Sequence, residues 1–190
     1  MKLGLYGGTF DPIHHGHLIL ARQAVEQLGL DRLVFIPAAR SPFKPGQPLT
    51  PPQHRVEMIR LAIADEPPFE LDDLEIRRGA PSYTIDTVKA YRERFPAAAL
   101  FWLFGEDHLP SLPAWHRFSE LKVQVQFVVL VRAEQARAVP YPVVLRRIDI
   151  SATEIRNRVA NDLSITYLVP ERVLRYVQAV NLYRGEDHRG

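Results

Sequence analysis

The chain has 190 residues, 46% hydrophobic and 24% charged, with a formal net charge of +2, which suits one globular domain over 1–190 and is too mild and scattered a surplus to indicate a nucleic-acid partner. It has no cysteines, which excludes a disulfide framework, a thiolate metal site and a thiol nucleophile. The longest apolar run, Ala97 to Phe104, is far shorter than the roughly 18–20 residues that cross a bilayer, and no signal-peptide core opens the chain, so the expectation is a soluble, cytoplasmic protein with no membrane partner.

In chain order, apolar runs that read as strands alternate with apolar repeats at helical spacing. Leu3 to Tyr6 is a short strand. Leu18, Ala21, Val25 and Leu28 then share a helix face, with Gly29 at the stop and the helix beginning near Gly16. Leu33 to Pro37 is the next strand. Arg40 to Pro52 holds five prolines and a glycine and reads as a long loop of the kind that often carries function. A helix over Gln53 to Asp65 leads to a strand over Phe69 to Ile76, and a helix opened by Ser82 or Thr84 runs to Phe95. Ala98 to Phe104 is apolar at every position, as a strand covered on both faces of a parallel sheet would be. A broken helix over Leu109 to Lys122 follows, then strands over Val125 to Val131 and Val143 to Ile150, and two closing helices from Ser151 and Pro170. This alternation predicts an α/β fold: a doubly wound, Rossmann-like, mostly parallel sheet flanked by helices.

In such a sheet ligands bind outside the carboxyl ends of the strands, where strand order reverses. Three stretches put polar residues there. The first is GGTFDPIHHGH, residues 7–17. It is neither of the common phosphate loops, yet Gly7 and Gly8 permit close approach of a ligand to backbone, and the following helix offers free N–H groups and the positive end of its dipole. His14 and His17, three apart, could hydrogen-bond phosphate oxygens or meet growing negative charge; the plainer alternative is that the glycines turn the chain and the histidines cap or pack. A metal reading of His14, His15 and His17 lacks the i, i+4 pair and neighbouring carboxylate of an H-E-x-x-H site.

The second is IDISATEIRNRV, residues 148–159. Ser151 and Glu154 fit a capping box, which needs no function, but Arg156 one turn further on could help a second helix N-terminus hold a polyphosphate from the opposite side. The third is FWLFGEDHLPSLPAWHRF, residues 101–118. An apolar strand breaks at Gly105 into Glu106 and Asp107, where a carboxylate could accept from ribose hydroxyls. Trp115 is either core or a face for a flat heterocycle.

Taken together, these residues resemble a known family. GGTFDPIHHGH matches the (H/T)-x-G-H nucleotidyltransferase signature and ISATEIR is similar to the I-S-x-T-x-x-R motif of the same site. PSYTIDTV at 81–88 and GEDHLPSLPAW at 105–115 are similar to stretches of the bacterial nicotinate-nucleotide adenylyltransferases. The resemblance runs from Leu3 to about Arg184. One departure is visible: after Arg132 the family continues R-P-G or R-R-P-G, whereas this chain reads VRAEQARAVP, and no contact is carried over there.

The resemblance implies transfer of AMP from ATP to nicotinate mononucleotide, with Mg²⁺ carried by ATP and no protein metal site. It places His14, His17 and Arg156 at the reacting phosphates, Gly8, Thr9 and Phe10 beside the nucleotide through backbone groups, and Ser151 with Arg156 on the outer phosphates. Gly105 and Asp107 would meet the adenosine ribose, Lys44 the mononucleotide phosphate, and Thr84 and Trp115 the pyridine ring. His15 occupies the variable position of the signature. Alternatives are another acceptor of the same superfamily (nicotinamide mononucleotide or phosphopantetheine), a cytidylyltransferase, or a silent nucleotide-binding module. A homo-oligomer is compatible with everything read here.

Overall fold

The computed structural model describes residues 1–40, 49–134 and 138–185. Six strands form one sheet: β1 (Lys2–Gly8), β2 (Arg32–Pro37), β3 (Phe69–Leu71), β4 (Ala99–Gly105), β5 (Gln126–Val131) and β6 (Val143–Leu145). Their order is β3-β2-β1-β4-β5-β6, and every pairing is parallel. The chain therefore winds outward from β1 to one edge, returns to the middle at β4 and winds to the other edge. The crevice where the direction reverses lies between β1 and β4, which pair in register from Lys2↔Ala99 to Tyr6↔Leu103.

Because side chains alternate across a strand, each central strand feeds two cores. Phe101 and Leu103 of β4 face one cluster, with Phe35, Val128 and Leu130 from neighbouring strands. That cluster is covered by α1 (His15–Leu28), α2 (Pro52–Ile63), α6 (Ala152–Ala160) and α7 (Glu171–Ala179), through Ala21, Ala24, Met58, Ile59, Ile155 and Val173. Leu100, Trp102 and Phe104 face the other, with Leu5, Ile36 and Val129. That one is covered by α4 (Thr84–Arg94) and α5 (Phe118–Gln124), through Ile85, Val88 and Leu121. The uninterrupted hydrophobicity of β4 follows from burial on both faces. Helix α1 stops at Gly29, whose left-handed φ of 62° lets its N–H turn back to the carbonyl of Val25.

Several expected elements come out differently, for local reasons. Gly7 and Gly8, read as a turn, are the last residues of β1 and pair with Ile36 and Pro37. The strand expected over Phe69–Ile76 ends at Leu71 because the Asp72 carboxylate accepts from the N–H of Leu74 and starts a short helix, α3 (Leu74–Arg78). Neither Ser82 nor Thr84 caps α4. Tyr83 holds the cap position, and the Ser82 hydroxyl instead accepts from the N–H of Ala39, two residues beyond β2. The broken helix expected from Leu109 begins earlier, as a 3₁₀ helix over Glu106–Ala114 containing Pro110 and Pro113. It is separated from α5 by Arg117 in the left-handed region, φ 54°. The last strand pairs only over Val143–Leu145. β5 ends at Val131, and among the described residues the ladder continues through the N–H groups of Arg146 and Ile148, which donate to the carbonyls of Val131 and Arg132.

Leu103 lies in the middle of β4, fully buried. Its replacement by Ala should cost about 2–5 kcal/mol, the range for deleting a buried leucine side chain that the surroundings only partly refill. Equilibrium urea denaturation checks this, and a loss under about 1 kcal/mol would show that the two-sided core of β4 is not tightly packed.

Candidate active site

The site sits where β1 and β4 diverge. A cleft of about 250 Å³ is lined by Gly8, Thr9 and Phe10 after β1, by His14 and His17 at the start of α1, by Gly105 and Asp107 after β4, by Arg132 after β5, and by Ser151, Thr153 and Arg156 at the start of α6. The two helix-bearing turns singled out in the sequence thus face one another across a single cavity. They also touch: the Arg156 guanidinium donates from Nη1 to the backbone carbonyl of Asp11 at 2.8 Å and from Nη2 to the Thr153 hydroxyl at 3.3 Å.

Local structure explains how each turn is held. Gly7 passes against the Trp102 indole, so closely that a Cβ there would lie 2.4 Å from Cζ2; only glycine lets β1 run this near its neighbour's side chain. Phe10 adopts a left-handed backbone, φ 50°, which for a bulky residue costs about 1–3 kcal/mol and persists only where surroundings over-determine it. Here they do: the Phe10 ring is buried, edge-on to Tyr6, His17 and Phe35 at centroid distances of 5.3, 5.1 and 5.5 Å. On the other side, the Ser151 hydroxyl caps α6 by accepting from the N–H of Glu154 at 3.1 Å.

Helix α1 begins one residue earlier than its apolar spacing suggests, with His14 as the cap residue. The two imidazoles stack at 3.7 Å between centroids, and His17 Nδ1 accepts the backbone N–H of His14 at 3.2 Å. An Nδ1 that accepts leaves the proton of a neutral ring on Nε2, so His17 carries an N–H donor at the wall of the cleft. Burial holds the His14 pKa down to about 3, with Arg132 and His15 acting in the same direction. Burial, then His14 and Arg132, hold His17 well below the ordinary imidazole range. Both rings are neutral near pH 7, which makes them hydrogen-bond donors rather than cations. The cationic work falls to Arg156 and Arg132.

Not every expected site residue joins this cleft. Thr84 and Trp115 are outside its lining. Trp115 is 9% exposed, with ring contacts to Phe104, Phe127 and His108, so its surroundings are those of a core aromatic. Their neighbours Tyr83 and His116 stack at 4.3 Å, which brings the start of α4 and the end of the 3₁₀ helix together beside the end of β2. Lys44 lies outside the described residues. Among the described residues no group of three His, Asp or Glu side chains is arranged to hold a metal ion, and no helix is long and apolar enough to cross a membrane.

The structure also adds residues to which the sequence reading gave no role. Arg132 lines the cleft, its Nη1 held by the carbonyl of Ile150 at 3.0 Å; its place directly after an apolar strand was a usable signal. Arg55 is fully buried and donates to the carbonyls of Thr9 and Thr50 at 2.8 and 3.0 Å. It shares the inward face of α2 with Met58 and Ile59, a spacing that marks a buried arginine once helical periodicity is taken literally. Tyr183, far along the chain, donates to the Asp11 carboxylate at 2.7 Å, and no local pattern announces that.

Comparison with known proteins places the chain in a family. A family model described as cytidylyltransferase-like matches residues 5–158. The chain is 43% identical to a probable nicotinate-nucleotide adenylyltransferase of Opitutus terrae, over 97% of this chain and 98% of that protein. It is 39% identical to the nicotinate-nucleotide adenylyltransferase of Bacillus subtilis, over 97% and 99%. In fold it is similar to the Plasmodium falciparum nicotinic acid mononucleotide adenylyltransferase complexed with NaAD, with a TM-score of 0.79 at 20% identity over 96% of this chain and 97% of that one.

The depressed His14 pKa carries a stability consequence of definite sign. The native state excludes a proton that the unfolded chain accepts, so this contribution is complete above pH 6.5 and is lost as pH falls from 6.5 toward about 3. The urea midpoint of the native chain should fall between about pH 7.5 and about pH 5, and His14→Asn should flatten that fall. Equal slopes in the two proteins would show that His14 is not a buried neutral base.

Proposed function

The chain belongs to the cytidylyltransferase-like family, and from that premise we propose that it transfers AMP from ATP to nicotinate mononucleotide, forming nicotinate adenine dinucleotide and releasing pyrophosphate, as the names of its 37–43% identical relatives would have it. The observation that carries this reading is the meeting of the GGTFDPIHHGH and ISATEIR turns across one cleft, joined by Arg156.

The chemistry asks little of the protein in covalent terms. A phosphate oxygen of the mononucleotide, mostly ionised near neutrality because its second pKa is about 6, attacks the α-phosphorus of ATP. A new P–O bond forms opposite the breaking bond to pyrophosphate. No general base or enzyme nucleophile is needed, in keeping with a chain without cysteine. What the protein supplies is alignment of two anions and stabilisation of the charge that spreads over the α-phosphate and the leaving group.

His17, neutral and with its Nε2–H free to donate, meets the transferring phosphoryl group. His14 supports it by stacking and by offering its backbone N–H to Nδ1. A neutral donor held in place beforehand requires no proton transfer and no reorientation as charge develops. Arg156 and Ser151 grip the outer phosphates with the N-terminus of α6. The backbone of Gly8, Thr9 and Phe10 lies along the nucleotide, and Gly105 and Asp107 meet the ribose. Mg²⁺ enters bound to ATP as part of the substrate. Asp11 and Asp107 are the carboxylates of the described cleft lining, and with Asp11 accepting from Tyr183 and Thr50 the donor set does not suit a resident ion.

The acceptor's ring lies on the side where α4 begins. The free N–H groups of that helix, starting at Thr84, favour the nicotinate carboxylate over an uncharged amide. Lys44 is assigned to the mononucleotide phosphate and Trp115 to the ring; for Trp115, stacking would require rearrangement of its contacts with Phe104 and Phe127.

Two measurements test the reading. Purified protein with ATP should release pyrophosphate with nicotinate mononucleotide and much less with nicotinamide mononucleotide, and CTP should not replace ATP. No release with any of these acceptors would end the proposal. In the same assay His17→Ala should lower kcat by about 10²–10³, the scale of a lost transition-state donor, with little change in KM. Near-normal turnover of that folded variant would remove His17 from the mechanism.

A further inference from the structure

At the floor of the cleft, the loop that carries the histidine turn is held by a buried cluster centred on Asp11, to whose side-chain bonds the proposed mechanism gives no part. Asp11 is 4% exposed. One carboxylate oxygen accepts from the Tyr183 hydroxyl at 2.7 Å and the other from the backbone N–H of Thr50 at 3.0 Å. Arg55 lies next to this carboxylate and spends its donors on the carbonyls of Thr9 and Thr50. The backbone carbonyl of the same Asp11 is the acceptor for Arg156. One residue thus connects the segment after α7, the segment before α2, the loop after β1 and the cleft arginine.

We propose that Tyr183 is a positioning residue for adenylyl transfer: its hydroxyl fixes the Asp11 carboxylate, and through Asp11 sets the Thr9–Asp11 backbone and the Arg156 guanidinium where the triphosphate is to lie.

Three features favour this over simple core filling. Tyr183 is 172 residues away from Asp11 in sequence, so the bond is a deliberate tertiary closure rather than a local cap. Its hydroxyl is buried against a carboxylate, which pushes its pKa well above the ordinary phenol value and keeps it a donor across the working pH range. The residue it fixes holds Arg156 through a backbone atom, so a tilt of the Asp11 peptide is passed to the cleft without any side chain between. A displacement of about 1 Å at reacting groups is enough to cost on the order of a hundredfold in rate, so a modest loosening of this anchor should be visible in turnover.

The inference rests on the adenylyl-transfer reading above, and its test separates the two. Wild type, Tyr183→Phe, Asp11→Asn and the double variant are each measured, well below their melting temperatures, for pyrophosphate release and for calorimetric binding of a non-hydrolysable ATP analogue. Phe keeps the buried ring and deletes only the hydroxyl. Tyr183→Phe should lower kcat about tenfold and weaken analogue binding at least about threefold, while adding Tyr183→Phe to Asp11→Asn should change neither further, because the two act as one unit. A Tyr183→Phe protein that melts earlier but keeps wild-type kcat and analogue affinity would reduce Tyr183 to a packing residue and overturn the proposal, as would losses that add in the double variant. If wild type releases no pyrophosphate, the adenylyl-transfer reading falls, and Tyr183 is judged on analogue affinity alone by the same criteria.

Discussion

The hydrogen bond from Arg156 to the carbonyl of Asp11 joins two turns that lie 145 residues apart in the chain, and it ties together the two walls of the cleft. Each turn alone is a common object, a glycine-rich strand end and a capped helix start. Set across from each other at the carboxyl ends of the sheet, they present two helix N-termini, two neutral imidazoles and an arginine to one cavity. That is an environment for a polyanion: dipoles and hydrogen-bond donors converge where charge would otherwise have to be carried by water.

The sheet makes this convergence possible. With the order β3-β2-β1-β4-β5-β6, β1 and β4 are neighbours from which the chain winds in opposite directions, so the loops that leave them part and open a crevice. The β1 loop turns toward α1 and the β4 loop into the 3₁₀ helix. A rigid floor matters as much as the opening. Strands buried on both faces fix the position of each loop's first residue, and the strained backbone at Phe10 is tolerated because Tyr6, His17 and Phe35 enclose its ring.

The electrostatics have a division of labour that net charge conceals. The histidines are buried enough to stay neutral and act through oriented N–H groups, whereas the positive charge comes from Arg156 and Arg132. Below the cleft, the Asp11 carboxylate is buried with Tyr183, and Arg55, which donates to the carbonyls of Thr9 and Thr50, brings a positive charge whose field reaches it. Such a group is costly unless every partner is satisfied. In the adenylyl-transfer reading proposed above, its value lies in orientation, because the carbonyl of the same Asp11 holds Arg156.

What was legible in the sequence was whatever depends on neighbours. Helical and strand periodicity, the Ser151 cap, the glycines of the phosphate turn, the burial of the β4 run and the doubly wound class all follow from residues a few positions apart. The three polar stretches could also be named, because each follows a strand. Errors arose where one local interaction outweighed a pattern: Asp72 ended a strand that the apolar run through Ile76 implied, and β6 stopped when its partner did. Contacts between distant segments could not be read at all. That Arg55 and Tyr183 close on the loop after β1, across 46 and 172 positions, that Arg132 lines the cleft and that Trp115 lies among Phe104 and Phe127 were decided by strand order and helix packing, because such contacts share no periodicity and form only when the sheet has assembled.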